Sequence, residues 1–281
     1  MAATLLAARA VRFAVGLQLM SAAVQTPVSV IQITDCHLFS DPDARLAGVD
    51  TKANLTCVLE HMARYFLPQS IILTGDLSHD ANPDTLAWLQ AQCLQHFPGS
   101  SWFWLPGNHD DPASLAQQFD QLNPLRDWQQ NGWQVCLLNS HSGRPEGVLL
   151  NSELARIEAL AQQGLPVALF VHHHPVKLGC FIDRHMLAEA DPLLQLLTQY
   201  PTIKLLAHGH THQESRLQYA QAAILGCPAT SVQFQPKAPE FELAGTKPGY
   251  RWLQLQQNGT FTSGVVRVVD GSVADVTQGV Y

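Results

Sequence analysis

Between residues 28 and 212, short apolar runs alternate with segments whose apolar side chains recur at helical spacing. Residues 28–34 form a run rich in β-branched side chains that predicts a strand, and residues 52–66 carry apolar side chains every three or four positions, which predicts a helix. Such segments repeat along this part of the chain. The predicted strands are 28–34, 70–74, 102–105, 135–139, 167–171 and 203–207, and the predicted helices are 52–66, 82–96, 151–163 and 184–199.

Two of the predicted helices carry start signals. Asn82-Pro83-Asp84 opens the second helix, because Pro is favoured in the first turn. For the helix at 151–163, Asn151 or Ser152 is the predicted cap, and Glu153 stands in its first turn.

Strand patterns dominate after residue 212. The predicted strands there are 222–225, 230–234, 250–255 and 260–269, and Asn258-Gly259 between the last two is a hairpin signal. Alternating strands and helices followed by strands favour an α/β fold with an extended mixed sheet over a TIM barrel. Because the sequence contains no repeat or linker, we predict one domain over residues 28–281, preceded by an N-terminal extension over residues 1–27.

The N-terminal segment has three interpretations. Its mainly apolar part, Phe13–Val24, is too short to span a bilayer. Arg9 and Arg12 ahead of it, with Ser21-Ala22-Ala23 at its end, imitate a secretory signal. The segment is otherwise an amphipathic extension, or translation begins at Met20.

The six cysteines bear on the compartment. No two of them form a C-x-x-C pair, and several stand among apolar residues. This pattern is typical of buried free thiols in a reducing compartment. We therefore expect a cytoplasmic protein, with export as the alternative if residues 1–23 are a signal peptide.

Composition narrows the function classes. The chain has 281 residues, of which 46% are apolar and 14% charged, so a sizeable core forms and disorder is excluded. The net charge is −7 and no Lys/Arg run exists, which argues against a nucleic-acid partner. The 13 histidines are numerous against 16 Lys plus Arg, and several stand beside Asp, Asn or other His, which indicates metal chemistry.

Five polar motifs follow the ends of five predicted strands. They are Asp35-Cys36-His37, Gly75-Asp76, Gly107-Asn108-His109-Asp110, His172-His173-His174-Pro175 and Gly209-His210-Thr211-His212. Because ligands gather at the carboxyl ends of strands in open α/β sheets, we expect these motifs to converge. Asp, His and Asn suit iron, manganese, zinc, nickel or cobalt better than calcium.

Spacing within the motifs suggests how the side chains are aimed. Residues two apart share a face of an extended chain, so the outer residues of D-x-H and of H-x-H are expected to point the same way. The glycines before Asp76, Asn108 and His210 are expected to let the backbone turn sharply.

Each motif alone is an ordinary turn or surface feature, whereas all five in order are specific. The set resembles the calcineurin-like metallophosphoesterase superfamily, with its D-x-H, G-D-x-x-x-D, G-N-H-[DE], later His and G-H-x-H; Asp80 completes the second motif. Residues 28–281 further resemble the bacterial class III 3′,5′-cyclic AMP phosphodiesterases. The stretches that carry this closer resemblance are 31–38, 104–110, 172–175 with Gly179-Cys180, 209–214 and 231–236.

The resemblance implies a fold and a ligand set. The implied fold is a four-layer α/β/β/α sandwich with mixed sheets. Cys36 is the one local departure from the family pattern, at a position that is not a ligand in the family. The implied ligands of two adjacent metals are Asp35, His37, Asp76 and His212 for the first, and Asp76, Asn108, His172 and His210 for the second, with Asp76 bridging.

The resemblance also implies roles for the site residues. His109 is the implied proton donor, and His109 and Asp76 are the implied catalytic residues. Of the three consecutive histidines, His172 is preferred as the ligand because it comes first after the strand. The implied substrate-binding residues are His37, Asp76, Asn108, His109 and His212.

The chemistry of such a centre is general. Two cations lower the pKa of a shared water, so that hydroxide is available near neutral pH to attack phosphorus in line with the leaving oxygen. By resemblance, the substrate is the small molecule cyclic AMP and the product 5′-AMP. Iron is the first expectation for the metals, manganese the second, and zinc or cobalt follow.

Other functions remain open at the level of sequence. The motifs indicate that metals and phosphate bind, but they do not identify the leaving group. A phosphodiesterase for another small diester, such as a glycerophosphodiester, therefore also fits, as does a broad-specificity phosphatase. A non-catalytic metal-binding module is the third alternative. The oligomeric state and the preference between cyclic nucleotides are open too. We expect Asp80 and Asp110 to orient ligands or to cap helices, and His79 to pack beside the site or to support a ligand rather than to be one. By family analogy, residues 226–236 are a candidate for the pocket rim.

Overall fold

The computed structural model describes residues 27–277. The alternatives for the N-terminal segment therefore lie outside the described residues, and the domain boundaries stay a prediction. The strands, in chain order, are β1 (Val28–Ile33), β2 (Ser70–Thr74), β3 (Ser101–Leu105), β4 (Asp127–Gln130), β5 (Trp133–Leu137), β6 (Gly147–Val148), β7 (Val167–Val171), β8 (Leu187–Ala188), β9 (Ile203–His208), β10 (Ser215–Tyr219), β11 (Ala222–Gly226), β12 (Gln233–Phe234), β13 (Leu243–Ala244), β14 (Gly249–Leu255) and β15 (Phe261–Arg267). The helices are α1 (Thr51–Tyr65), α2 (Pro83–His96), α3 (Pro112–Gln118), α4 (Asn151–Ala161) and α5 (Asp191–Gln199), with a 3₁₀ turn at Phe181–His185.

Two mixed sheets form the centre of the fold. The first has the order β15-β14-β1-β2-β3, with β1, β2 and β3 parallel and the β14–β15 hairpin antiparallel to β1. The second has the order β10-β11-β9-β7-β5-β4, with β5, β7, β9 and β11 parallel. The hairpin predicted at Asn258-Gly259 is confirmed.

Three apolar clusters separate four layers. One cluster packs helices α1 to α3 against the first sheet, for example Leu59 and Leu89 against Ile31. A second lies between the sheets, and a third packs α4 and α5 against the second sheet. The order of layers is therefore α/β/β/α, and the predicted sandwich is confirmed. A fourth, smaller cluster lies outside these layers and includes Val49, Cys180, Val232 and Leu243.

Several predicted elements differ from the structure. The helix predicted at 184–199 begins only at Asp191, because Pro192 belongs in a first turn and would break a helix interior. Neither Asn151 nor Ser152 caps α4, since Leu150 is at the N-cap and makes no side-chain bond. The strand predicted at 230–234 is reduced to β12.

Other helix signals hold. Asn82 Oδ1 accepts a hydrogen bond from the Asp84 N–H, with Pro83 in the first turn of α2. Within residues 27–277, no helix combines the length and apolarity needed to cross a bilayer.

Candidate metal centre and active site

The five motifs begin where β1, β2, β3, β7 and β9 end, and the fold brings them to one place. His212 Nε2 lies 3.4 Å from Asp35 Oδ1 and 3.2 Å from His37 Nε2. On the other side, His172 Nε2 lies 3.2 Å from Asn108 Oδ1. All seven residues predicted as metal ligands therefore meet, since His210 clusters with His172 through ligand atoms within 4.8 Å of one another.

Asp76 lies between the two groups of donors. Its Oδ2 is 3.6 Å from His37 Nε2 and 3.3 Å from His172 Nε2. Its Oδ1 accepts the His109 backbone N–H at 2.9 Å. Only 2% of its surface is exposed, and its carboxylate lies against imidazoles of both sets.

The backbone at these motifs is not extended, so the predicted reason for the shared orientation is wrong. Asp35, His37, Asp76, His210 and His212 all have positive φ, between 45° and 64°. This left-handed conformation is costly for residues with a Cβ. The neighbouring motifs hold it, because the Asp35 N–H bonds to the Gly75 carbonyl at 3.0 Å and the His37 N–H to the Asp76 carbonyl at 2.9 Å.

Backbone carbonyls fix the tautomers of three histidines. A carbonyl only accepts, so His172 Nδ1–H donates to the Thr74 carbonyl and His212 Nδ1–H to the Val232 carbonyl, both at 2.8 Å. His210 instead donates from Nε2 to the His185 carbonyl at 3.0 Å. In the neutral form of each ring the opposite nitrogen carries the lone pair that binds a metal. For His172, burial lowers the pKa but the Asp76 carboxylate raises it overall to about 9, so metal binding there releases a proton.

The charges of the site suit a cation. Burial lowers the pKa of His37 and of His210, so both imidazoles are neutral and offer lone pairs. Burial alone would raise the pKa of Asp76, but the charge and hydrogen bond of His172, together with His37 and His109, hold it well below its usual range, so the group is a carboxylate. Buried imidazoles around a buried carboxylate match the donor chemistry of a transition-metal pair.

Two of the three glycines act through close approach rather than through a turn. Gly75 has φ +91°, as predicted, but no positive φ occurs at Gly107 or Gly209. A Cβ on Gly107 would overlap Asp76 Oδ1, and a Cβ on Gly209 would overlap Thr34 Oγ1. The glycines therefore keep space for the carboxylate and for the packed strand ends.

Gly107→Ala is expected to displace Asp76 and to lower any metal-dependent activity of this site by about 100-fold or more, because a ~1 Å misplacement costs that much. Gly99→Ala is the matched control, since a Cβ there meets nothing within 4 Å. Steady-state kinetics and metal content of both variants check this. Equal activities would contradict it.

The histidines that follow His172 hold neighbouring loops. His173 Nε2 donates to the Pro145 carbonyl at 3.1 Å, and its Nδ1 lies 2.8 Å from Ser140 Oγ. His174 Nε2 lies 3.1 Å from Asp183 Oδ1, in the 3₁₀ turn. Of the three consecutive histidines, His172 thus lies in the donor cluster, His173 contacts the loop that contains Pro145, and His174 contacts the 3₁₀ turn.

Asp183 also accepts the backbone N–H groups of Leu178, Gly179 and Cys180. Burial alone would raise its pKa, but the hydrogen bonds from His174 and these N–H groups lower the pKa from 3.8 to about 2. A depressed folded pKa means stability that is present above the unfolded value and is lost as pH falls toward about 2.

Asp183→Asn is therefore expected to destabilise the metal-stripped protein by about 1 kcal/mol at neutral pH, after allowing for solvent screening. The difference from wild type should shrink as pH falls from about 5 to about 2. Urea unfolding at several pH values measures it, with the exposed Asp43→Asn as control. A difference that does not change with pH would contradict the prediction.

Asp110 and Asp80 support the loops and cap no helix. Asp110 Oδ1 accepts the Leu77 and Ser78 N–H groups, and its Oδ2 accepts the Gly107 N–H, which joins two motifs. Burial, followed by the Asp76 carboxylate, raises the pKa of Asp110. Asp80 accepts from Ser40, Ser78 and Asn82.

His109 and His79 lie on the open side of the donor cluster. The His109 ring centroid is 4.9 Å from that of His37 and 5.2 Å from that of His79, on which it stacks at 22°. His79 Nδ1 lies 3.3 Å from His37 Nδ1. His79 thus contacts both a candidate ligand and the candidate proton donor, which fits the predicted supporting position.

A cavity of about 690 Å³ opens over this cluster. Its floor includes Asp76, Asn108, His109, His210 and His212, whereas Asp35, His37 and His172 are buried behind them. The lining also includes Phe181, Phe234, Phe241 and Arg184, and, from the loop before β6, Gly143, Arg144 and Pro145.

Most of these walls were not found from the sequence. Phe234 falls in the predicted rim at 226–236, but Phe181 and Phe241 come from separate loops. Nothing in the spacing of the chain marks them. The one available signal was the closeness of Phe181 to the H-H-H-P motif.

Comparison with known proteins places this site in a family. The model of the calcineurin-like phosphoesterase family matches residues 28–214. The chain is 32% identical over 273 residues to the 3′,5′-cyclic adenosine monophosphate phosphodiesterase CpdA of Vibrio vulnificus, over 92% of this chain and 96% of that protein. It is 35% identical over 261 residues to the protein of the same name from Escherichia coli K12, over 86% of this chain and 90% of that protein. The 3′,5′-cyclic-nucleotide phosphodiesterase alr5338 of Nostoc is 31% identical, over 86% of this chain and 93% of that protein.

Solved structures share the fold at low identity. A dimetal phosphatase from Danio rerio has a TM-score of 0.59 at 13% identity, over 86% of this chain and 99% of that chain. The purple acid phosphatase PPD1 of yellow lupin has a TM-score of 0.61 at 12% identity, over 87% of this chain and 52% of that chain.

These findings confirm the resemblance that the motifs predicted. The family model spans more than half of the chain, and the curated relatives exceed 30% identity over nearly their whole length. The chain belongs to the calcineurin-like phosphoesterase family of hydrolytic enzymes.

Proposed function

We propose that this protein hydrolyses 3′,5′-cyclic AMP to 5′-AMP at a dinuclear metal centre. The observation that carries the proposal is the meeting of seven Asp, Asn and His donors, almost all of them buried, beneath a cavity that His109 also lines. The cyclic AMP substrate follows the names of the curated relatives, which match nearly end to end.

The proposed ligands divide into two sets that share Asp76. Asp35, His37, Asp76 and His212 hold one cation, and Asp76, Asn108, His172 and His210 hold the other. The contacts of Asp76 Oδ2 with both imidazole groups support the bridging role. Iron is the first candidate for both positions and manganese the second, because nitrogen and oxygen donors suit both metals.

When bound, such a pair lowers the pKa of water to supply hydroxide and neutralises charge on the phosphate. The chain's own residues do the rest. Asn108, His109 and His212 line the cavity floor and position the phosphate there. His109 donates a proton to the ribose 3′ oxygen as that oxygen leaves. His37 is 1% exposed and does not line the cavity, so we propose it as a ligand and not as a substrate contact.

The proposal also covers the cellular location and the class of substrate. We place it in the cytoplasm, since all six cysteines are free and five of them are buried. The substrate is a small molecule and not a nucleic acid, in line with the net charge of −7.

The test is hydrolysis of cyclic AMP by metal-stripped protein reloaded with iron or manganese. An artificial aryl phosphodiester, bis(4-nitrophenyl) phosphate, runs alongside. Metal-dependent release of 5′-AMP is the expected result. Cleavage of the aryl diester alone would overturn the cyclic AMP substrate and favour another small diester, whereas metal binding without any turnover would favour a non-catalytic module.

A further inference from the structure

We propose that the base of the bound nucleotide stacks on a phenylalanine wall formed by Phe181, Phe234 and Phe241, with Arg184 at its edge. This inference rests on the proposed nucleotide substrate and assigns a base subsite to the cavity. The wall begins directly beside the metal ligands, because the Phe234 ring stacks on His212 with centroids 4.0 Å apart and an interplanar angle of 6°.

The three phenylalanines form a mutually perpendicular cluster. Phe181 contacts Phe234 and Phe241 edge-to-face at 5.0 and 5.2 Å, and Phe234 contacts Phe241 at 5.7 Å. Phe234 is 3% exposed, whereas Phe181 and Phe241 are half-buried and line the cavity. Phe234 therefore joins the wall to the ligand His212, and the other two rings supply the surface that a ligand contacts.

The wall is held rigidly to the donor cluster. Phe181 N–H donates to the Ala238 carbonyl at 2.8 Å, which ties the 3₁₀ turn to the loop between β12 and β13. In the same 3₁₀ turn, the Asp183 carboxylate accepts a hydrogen bond from His174. The His185 carbonyl accepts one from the candidate ligand His210. The fourth apolar cluster lies beneath it. A base stacked here would be aligned with the phosphate before reaction, at low entropic cost.

Two arginines line the cavity. The Arg184 guanidinium is 5.9 Å from the Phe181 ring centroid, and Arg144 stands in the loop before β6, which His173 holds through Pro145. A guanidinium donates hydrogen bonds and accepts none. A flat ring with acceptor atoms at its edge, as in a purine, fits an aromatic wall edged by such donors.

The base contribution is measured by comparing two competitive inhibitors that differ only in the base. 5′-AMP and ribose 5-phosphate carry the same phosphate, so the ratio of their inhibition constants isolates the base. In wild type, 5′-AMP should bind about tenfold or more tightly, the usual contribution of one stacked base. The inhibition constants are measured with bis(4-nitrophenyl) phosphate as the substrate, so they can be obtained even if cyclic AMP is not hydrolysed. Failure of the proposed function and failure of this inference are therefore distinguishable.

Phe241→Ala should reduce the preference for 5′-AMP to about threefold or less and leave the ribose 5-phosphate constant unchanged. Arg184→Met, at a half-exposed side chain, should reduce the preference while sparing the fold. Tyr65→Ala removes an aromatic ring that is 62% exposed and outside the cavity, and should change neither constant. Equal constants in wild type, or a preference that survives both cavity substitutions, would overturn the inference.

Discussion

Asp76→Asn is expected to lower metal-dependent turnover by about 10³-fold or more, because transition-state stabilisation by the metals amounts to several kcal/mol. Among residues 27–277, Asp76 is the one carboxylate within 3.6 Å of both His37 and His172. An asparagine keeps the size of the side chain but removes the charge and one of the two oxygens. We therefore expect metal content to fall from two ions toward one.

The measurement combines elemental analysis of the reloaded protein with steady-state kinetics. Asp43→Asn makes the same chemical change at an exposed position and should alter neither quantity. Thermal unfolding of the metal-free proteins shows whether the variant folds. A folded Asp76→Asn protein that keeps two metals and near-normal turnover would remove Asp76 from the bridging position.

The ligand residues could be predicted because their order along the chain follows the strands. Asp35, Asp76 and Asn108 each come within three residues of the end of a parallel strand, and such ends gather at one edge of a sheet. The predicted cause of the shared side-chain orientation was wrong, because the backbone at Asp35 and His37 is left-handed and not extended. That conformation depends on hydrogen bonds between motifs far apart in sequence, which a local pattern does not reveal.

The segments that escaped prediction have the weakest local signals. β10 reads Ser-Arg-Leu-Gln-Tyr and is an exposed edge strand, so it lacks the apolar alternation that marks the inner strands. The cavity walls are a second case. Phe181 and Phe241 meet only because the β12–β13 loop folds over the 3₁₀ turn, a tertiary contact that the sequence does not encode at short range.

The proposed role of His109 makes a prediction that separates proton donation from binding. His109→Ala should lower turnover of cyclic AMP by about 10²–10⁴-fold, the usual contribution of a general acid. Metal content should stay unchanged, because it is the His109 backbone N–H, which the substitution keeps, that donates to Asp76. His96→Ala, at the end of α2, is the control and should retain full activity.

Two substrates with different leaving groups distinguish the possible roles of His109. The ribose 3′ oxygen leaves as a poor alkoxide and needs a proton, whereas 4-nitrophenolate leaves readily without one. Loss of a general acid should therefore slow the hydrolysis of cyclic AMP far more than the hydrolysis of bis(4-nitrophenyl) phosphate. An equal loss on both substrates would instead make His109 a phosphate-positioning residue, and loss of metal would make its role structural, through its contacts with His37 and His79.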